Sequence, residues 1–407
     1  MSQGLKGIKT IRDFELAGKT VFLRLDLNVP LDKKTNKITD ETRIKAALPT
    51  INYALEKGAK LIVASHLGRP KSKDDKQYSM EPVAKRLGEL LDVEVVLMDE
   101  PDSEGVKHFL SAPMKKQIIC LENLRFDERE TENKIELAQQ WASYTDIYIN
   151  DAFGASHRAH ASIHAFPSVM KQKGIGLLIE KEIKMLDGLF ESPKKPYIAV
   201  LGGAKVSDKI PVIEKLMDIC DGFVIGGAMA YTFLKAMDIP VGKSLVEADK
   251  VKYAKEMIQR VEARNKTILL PVDHVTTLSF GDTENIKVTS NAEIPEDRMA
   301  LDIGPQTIRN FRACLEKAST IFWNGPMGVF EVPAFAKGSF AVAEALANNP
   351  GLKIVGGGDS AAAAEASGFA DKMTHISTGG GASLEYLQGE RLPGLEILRP
   401  IKQSEVM

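Results

Sequence analysis

The sequence predicts an α/β protein built on two doubly wound parallel sheets, and three observations predict it. Short runs rich in Val and Ile alternate with longer stretches whose apolar residues recur at three- and four-residue spacing. The short runs are almost continuously apolar, as strands buried on both faces are. Their ends carry two chemistries: basic and carboxamide residues in the first half of the chain, glycine clusters in the second. Alternating βα units fold most readily as parallel sheets with helices on both faces. Ligands of such sheets bind outside the carboxyl ends of the strands, so two kinds of strand end point to two ligands, one per domain.

Five strands are expected in the first half: TVFLRLDL (20–27), AKLIVAS (59–65), VEVVLM (93–98), QIICL (117–121) and DIYIN (146–150). The segment ETRIKAALPTINYALEKG between the first two has helical periodicity, and Gly58 stops it. A charged helical pattern, LLIEKEIKMLDGLFESPKKP (177–196), ends in a Pro-bounded break and reads as an interdomain helix with its linker. The second half then repeats the pattern with YIAVLGG (197–203), GFVIGG (222–227), TILLPV (267–272), TIFWNG (320–325), LKIVGGG (352–358) and MTHIST (373–378). The expected organisation is two Rossmann-like domains, 1–178 and 197–390, joined by the helix and hinge of 179–196.

At roughly 150 residues per domain, 407 residues allow two or three domains, and 44% hydrophobic content suffices for their cores. A net charge of −2 exerts no general pull on nucleic acid or anionic membrane. The basic strand ends are therefore local features, suited to a small anionic ligand. Cys120, Cys220 and Cys314 form no CxxC pair and read as reduced thiols. The first residues lack the apolar core of a secretory signal, and no run approaches the ~20 apolar residues of a membrane span. A cytoplasmic protein without nucleic-acid or membrane partners is expected, and nothing demands an oligomer.

On the glycine side, LGGAKVSDKIP (201–211) leaves a strand and enters a helix. Gly202 and Gly203 let a ligand approach the backbone, while Lys205 and Lys209 add charges for phosphate oxygens. In GGGDSAAAAEASG (356–368), Asp359 is placed either to cap the helix or to ligate Mg²⁺ beside a phosphate. STGGGASLEYL (377–387) offers backbone amides to an anion, and WNGPMGVFE (323–331) places Glu331 either for ribose hydroxyls or free in solvent. Three local patterns are set aside. VGKS (241–244) has Met237 where a phosphate loop needs glycine, GIGLL (174–178) lacks the third glycine of a dinucleotide fingerprint, and HRAHASIH (157–164) has histidines without Cys or carboxylate.

On the basic side, Arg24, Arg43, Arg69, Arg125 and Arg158 with His66 fall at or near strand ends. Several arginines sharing one crevice repel one another unless an anion is held, and their planar forks match phosphate and carboxylate. Asp26 and Asn28 suit a ligand that also carries hydroxyls. The residues thus describe a kinase-like protein, with nucleotide on one side and a small phosphorylated or carboxylated hydroxy compound on the other.

LRLDLNVP, DETRI, SHLGRP, LENLRF, NDAFGASHRAHAS, LGGAKVSDKI, WNGPMGVFE, GGGDS and STGGGASLE, in this order along essentially the whole chain, resemble the phosphoglycerate kinase family. The resemblance implies a glycolytic phosphotransferase that moves the acyl phosphate of 1,3-bisphosphoglycerate to MgADP, reversibly, by hinge-bending closure of its domains. It implies substrate contacts from Asp26, Leu27, Asn28, Arg43, His66, Leu67, Gly68, Arg69, Arg125 and Arg158 in domain 1–178. It implies nucleotide contacts from Gly203, Lys205, Lys209, Gly227, Ala300, Asn324, Pro326, Glu331, Gly357, Gly358, Asp359 and Ser360, with Asp359 on the Mg²⁺. Arg43 and Lys205, with the amides of Gly379, Gly380 and Gly381, are implied to stabilise the phosphoryl group in flight. It also implies a monomer whose residues 391–407 return to the first domain. Ala300 stands where many members have glycine beside the adenine pocket. Two rival readings share parts of this pattern: a dinucleotide-dependent dehydrogenase needs a complete GxGxxG, and a non-catalytic phosphometabolite-binding protein needs neither Lys205 nor Asp359 nor the triple glycine.

Overall fold

The computed structural model describes residues 4–32, 34–99, 104–111 and 117–400. The chain divides into two compact units, one running to Lys184 and resuming at Glu390, the other spanning Met185–Gly389. The first holds six strands: β1 (Thr20–Leu25), β2 (Lys60–Ala64), β3 (Glu94–Met98), β4 (Gln117–Leu121), β5 (Ile147–Asp151) and β6 (Lys173–Ile175). Their order is β3-β4-β2-β1-β5-β6, with every pairing parallel.

Strand β1 shows why the sequence reads as continuously apolar. Val21, Leu23 and Leu25 join the core that includes Ile44 and Ile51 of the helix Thr42–Glu56. Phe22, on the opposite face, packs edge-on against Phe166 at 4.9 Å between centroids and lies 5.7 Å from Trp141. Both faces are therefore buried, and no polar side of the strand exists to show alternation. Past the helix end, Gly58 adopts φ +75°, which favours glycine. The chain from Glu390 packs on this unit: Gly394 N–H donates to the Ser156 carbonyl at 2.9 Å, and the Asn150 amide donates to the Gly394 carbonyl at 3.2 Å. Leu392, Leu395 and Leu398 are buried there.

The second unit holds β7 (Tyr197–Leu201), β8 (Gly222–Ile225), β9 (Thr267–Leu269), β10 (His274–Thr277), β11 (Lys287–Val288), β12 (Met299–Ile303), β13 (Thr320–Asn324), β14 (Leu352–Val355) and β15 (His375–Ile376). Six of them form a parallel sheet in the order β15-β14-β13-β7-β8-β9. The other three make a small antiparallel sheet, β11-β10-β12, that the sequence reading did not contain. Their His, Thr, Lys and Asp residues break the apolar run that marks the other strands, and β11 and β6 are also only two and three residues long. The charged pattern at 177–196 is helical only over Leu177–Asp187.

In each parallel sheet the first strand of the unit sits centrally, with the next strand on one side and a later one on the other. Adjacent loops therefore leave β1 and β7 in opposite directions, which opens a crevice at their carboxyl ends.

Candidate active site

In the first unit the residues after β1, β2, β4 and β5 gather at that crevice. Asp26 is buried, and its Oδ2 accepts from Arg43 Nη1 at 2.5 Å, so the helix Thr42–Glu56 delivers an arginine to the end of β1. Asn28 Oδ1 accepts from the Gly68 amide at 2.8 Å, and Arg125 Nη1 donates to the Gly68 carbonyl at 2.7 Å. Gly68 is at φ +59°, and a Cβ there would lie 2.2 Å from the Tyr78 ring. Arg69, Arg125, Arg158 and His160 line a cavity of about 670 Å³, and Asn28, Arg43 and Gly68 line another of about 470 Å³.

Cations outnumber carboxylates in this crevice: Arg43 is paired with Asp26, and Glu130 lies in the field of Arg24 and Arg125. Burial and the guanidiniums of Arg158 and Arg24 lower Arg125 to about 10, against an opposing pull from Glu130 and with a lesser push from Arg69. Burial, followed by Arg24, Arg125, Arg43 and Arg158, holds His66 well below the ordinary imidazole range. Arg24 Nη2 lies 3.3 Å from His66 Nδ1 and has only protons to offer, so that nitrogen accepts and the neutral ring carries its proton on Nε2. The expected consequence is measurable by NMR. The His66 C–H resonances stay at their neutral positions through pH 6, and a bound polyanion, by offsetting the four cations, moves the titration midpoint upward. A midpoint near 6.5 in the free protein, or no upward movement on adding a small phosphorylated carboxylate, would show that the cations do not act together on this ring.

Three residues sit differently from the sequence reading. Arg24 belongs to β1 itself and is fully buried, on the same face as Phe22, so it underlies the crevice rather than lining it. Its Nε donates to Ser162 Oγ at 2.8 Å, and that hydroxyl donates to buried Glu130 Oε1 at 2.6 Å. Leu27 and Leu67 are core residues. The Leu27 amide donates to Ser65 Oγ at 2.8 Å and the Leu67 amide to Asn123 Oδ1 at 3.1 Å, so neither side chain nor N–H of either is open to a ligand.

Sequence reasoning missed Asn123, although LENLR contained it. Its buried amide receives the N–H groups of Leu67 and Arg125 at 3.1 Å each and donates to the carbonyls of Leu67 and Tyr78 at 2.7 and 2.8 Å. One side chain thus ties the loop after β2 to the loop after β4. The signal was a carboxamide between apolar residues at a strand end, which marks a buried backbone clamp as readily as a ligand.

In the second unit, glycine ends interlock. The Gly202 amide donates to the Asn324 carbonyl at 3.0 Å, Gly203 to Pro326 at 2.9 Å, and Gly227 to Met327 at 3.0 Å. A Cβ on Gly202 would lie 2.2 Å from the Pro326 oxygen, and one on Gly227 would lie 2.5 Å from the Gly203 nitrogen. Asn324, at the end of β13, donates to the Gly356 carbonyl at 2.6 Å and accepts from Lys209 Nζ. Ser360 is buried and receives the Gly325 amide at 2.5 Å, so its hydroxyl serves the loop. Burial lowers the Lys209 ammonium, while the charges of Asp208 and Asp359 pull it back up. Gly357, at φ +92°, precedes the helix Gly358–Ala366, and Gly380, at φ +53°, precedes the helix Gly381–Gln388. The Gly379 amide donates to Ser377 Oγ at 3.2 Å. Lys205, Glu331 and Asp359 are exposed. Ala300 is buried in β12, opposite Thr276 of β10, and its amide donates to Ser244 Oγ at 3.0 Å.

Among the described residues no three His, Cys, Asp or Glu side chains cluster as a protein-built metal centre would. A lone exposed carboxylate, Asp359, in the first turn of a helix and in the field of Lys209, fits a hard cation that takes its other oxygens from a nucleotide and water. No helix among the described residues is long and apolar enough to cross a membrane.

Comparison with known proteins gives one answer. The family model described as phosphoglycerate kinase matches residues 11–390. A phosphoglycerate kinase from Bdellovibrio bacteriovorus is 70% identical over 399 residues, covering 98% of this chain and 99% of the relative. One from an Anaeromyxobacter species is 49% identical, covering 96% and 99%. The solved structure of phosphoglycerate kinase from Coxiella burnetii superposes with a TM-score of 0.85 at 38% identity, covering 96% of this chain and 98% of that one. That from Pyrococcus horikoshii gives 0.81 at 35% identity with the same coverage. With strand-end arginines in one unit, strand-end glycines in the other and relatives matched end to end, the chain belongs to the phosphoglycerate kinase family, phosphotransferases that interconvert 1,3-bisphosphoglycerate and ADP with 3-phosphoglycerate and ATP.

Proposed function

We propose that the crevice after β1, β2, β4 and β5 binds the glycerate substrate through Arg43, Arg69, Arg125, Arg158 and His66. Asp26 and Asn28 meet its hydroxyl and fix the loops. The observation that supports this most is the gathering of Arg69, Arg125 and Arg158 around one cavity at these strand ends, with Arg43 and Asn28 lining the other. Such a cluster is unfavourable when empty and is relieved by a polyanion.

The nucleotide lies against the glycine ends of β7, β8, β13 and β14. Lys209 and Asn324 meet its phosphates, Pro326 and Glu331 its sugar side, and Ala300 its base. Asp359 holds Mg²⁺, which when bound neutralises phosphate charge. Lys205 and Arg43, with the amides at Gly380 and Gly381, stabilise the group in transfer, while the Gly379 amide is held by Ser377 Oγ and shapes the loop.

An acyl phosphate is already activated, so the reaction needs no protein nucleophile; positioning and charge neutralisation supply the rate. Both ligands must meet where water is excluded, since water would hydrolyse the acyl phosphate. We also propose a cytoplasmic monomer. In keeping with a reducing compartment, burial pushes Cys120 and Cys220 up to about 12, which keeps both thiols protonated and inert.

The test is a coupled assay with ATP and 3-phosphoglycerate, with and without Mg²⁺, on the wild type and Asp359→Ala. Turnover is expected only with the metal, and Asp359→Ala should raise the Mg²⁺ concentration needed for half-maximal rate by roughly tenfold, as loss of one charged ligand contact does. An unchanged Mg²⁺ requirement would remove Asp359 from the metal site.

A further inference from the structure

The loop that carries Lys205 has almost no secondary structure of its own. Between the end of β7 and the helix Ile210–Leu216, the backbone makes one helical turn, in which the amides of Lys209 and Ile210 donate to the Val206 carbonyl at 2.8 and 3.1 Å. The amides that open this turn are met from elsewhere. Glu247 Oε2 accepts from the Val206 amide, and from the Ser207 amide at 3.1 Å, while Oε1 accepts from Ser207 Oγ at 2.6 Å. The carboxylate is itself anchored, because the Glu247 amide donates to buried Thr232 Oγ1 at 3.1 Å. Thr232 lies on the helix Met229–Ala236, whose first residue, Met229, donates its amide to the Gly203 carbonyl at 3.0 Å. A closed circuit therefore runs from Gly203 through that helix to Glu247 and back to Val206, the residue after Lys205.

We propose that Glu247 is a positioning residue for the transfer step: it fixes the loop that presents Lys205 without touching a substrate itself. The proposal rests on the role given to Lys205 above. A carboxylate is the right group for this position. Both of its oxygens accept, it satisfies three donors at once, and charge-assisted bonds of this kind are about twice as strong as neutral ones. Its negative charge also suits the amide end of a helical turn. Lys205 is exposed, so packing does not hold its side chain, and the backbone on either side is what limits its range. Misplacing a transition-state contact by about 1 Å is enough to cost on the order of 10²-fold in rate.

The experiment compares Glu247→Ala, Glu247→Gln and Lys205→Ala in the full-length enzyme, with kcat and both KM values measured at saturating Mg²⁺ and melting followed in parallel. Glu247→Ala is expected to lower kcat by about tenfold or more, with KM for 3-phosphoglycerate and ATP within about twofold. Glu247→Gln keeps the shape and one accepting oxygen, so it is expected to fall between the two, and it carries the test if the alanine variant does not fold. A general loss of structure would raise both KM values and lower the melting temperature; it would not single out kcat. If Lys205→Ala loses kcat while both Glu247 variants keep it within twofold, the positioning role is wrong and the reading of Lys205 survives. If Lys205→Ala itself keeps kcat, both fall together.

Discussion

Lys205→Ala lowers kcat on the order of 10²-fold or more while nucleotide affinity stays close to wild type; this is the loss seen when one preorganised charge contact to a developing anion is removed. The expectation follows from how differently the two lysines of this loop are placed. Lys209 is largely buried, its ammonium is lowered by burial and donates to Asn324, and it lies in the field of Asp359. It is built into the pocket wall, where it acts on bound nucleotide throughout the cycle. Lys205 is exposed rather than built into the wall, so its charge is available to a group that arrives only during transfer. Its removal creates no cavity, and exposed substitutions of this kind move stability by only about 0.5 kcal/mol. A fall in kcat therefore reads as lost transition-state stabilisation rather than unfolding. Steady-state rates in both directions, with ADP titrated separately by calorimetry, check it. A kcat near wild type, or a loss confined to KM for nucleotide, would assign Lys205 to ground-state binding.

Much of this arrangement was legible in the chain, and the reason is the parallel sheet. Strands buried on both faces announce themselves as Val- and Ile-rich runs, and the fold puts function at their carboxyl ends, so reading the residue after each run was nearly the same as reading the site. His66 and Asn324 stand at strand ends, and Arg125 and Lys209 in the loops that follow, whereas Arg43 lies on the helix Thr42–Glu56. What stayed hidden depends on contacts that no local period records. Glu247 reaches Val206 and Ser207 across about forty intervening residues. Asn123 joins two loops more than fifty residues apart in sequence. Arg24 misled for a related reason. At the level of sequence a strand-end arginine and a strand-interior one look alike, and only alternation with Phe22 decides that Arg24 points under the helices, toward Ser162 and Glu130. The antiparallel strands β10, β11 and β12 mix His, Thr, Lys and Asp with apolar residues and show no continuous apolar run to read.

Two glycines of the nucleotide side separate what the fold requires from what the ligand requires. Gly202→Ala is expected to destabilise the protein by roughly 3 kcal/mol, combining overpacking of a filled space with the weakening of two hydrogen bonds. The new methyl would sit 2.2 Å from the Pro326 oxygen and 2.6 Å from that of Gly325, both backbone atoms that cannot swing aside. It would push the end of β7 away from the loop after β13 and strain the Gly202–Asn324 and Gly203–Pro326 bonds. For a unit of this size the melting temperature would fall by about 10 °C. Gly358→Ala is the opposite case. No atom lies within 4 Å of a Cβ there, and Gly358 is not among the positive-φ glycines. It opens the helix Gly358–Ala366, where alanine lowers the entropy of the unfolded chain and stabilises by about 0.5 kcal/mol. Nothing inside the protein asks for glycine at this position, whereas a phosphate drawn against the backbone does. Gly358→Ala should therefore melt at or slightly above the wild-type temperature and yet bind ADP about tenfold more weakly, a loss of one good contact. Melting curves with and without ADP, together with calorimetric titration, measure both halves. If Gly358→Ala binds ADP as the wild type does, the nucleotide phosphates do not pass over the start of this helix, and their path must be sought nearer Gly203 and Gly227.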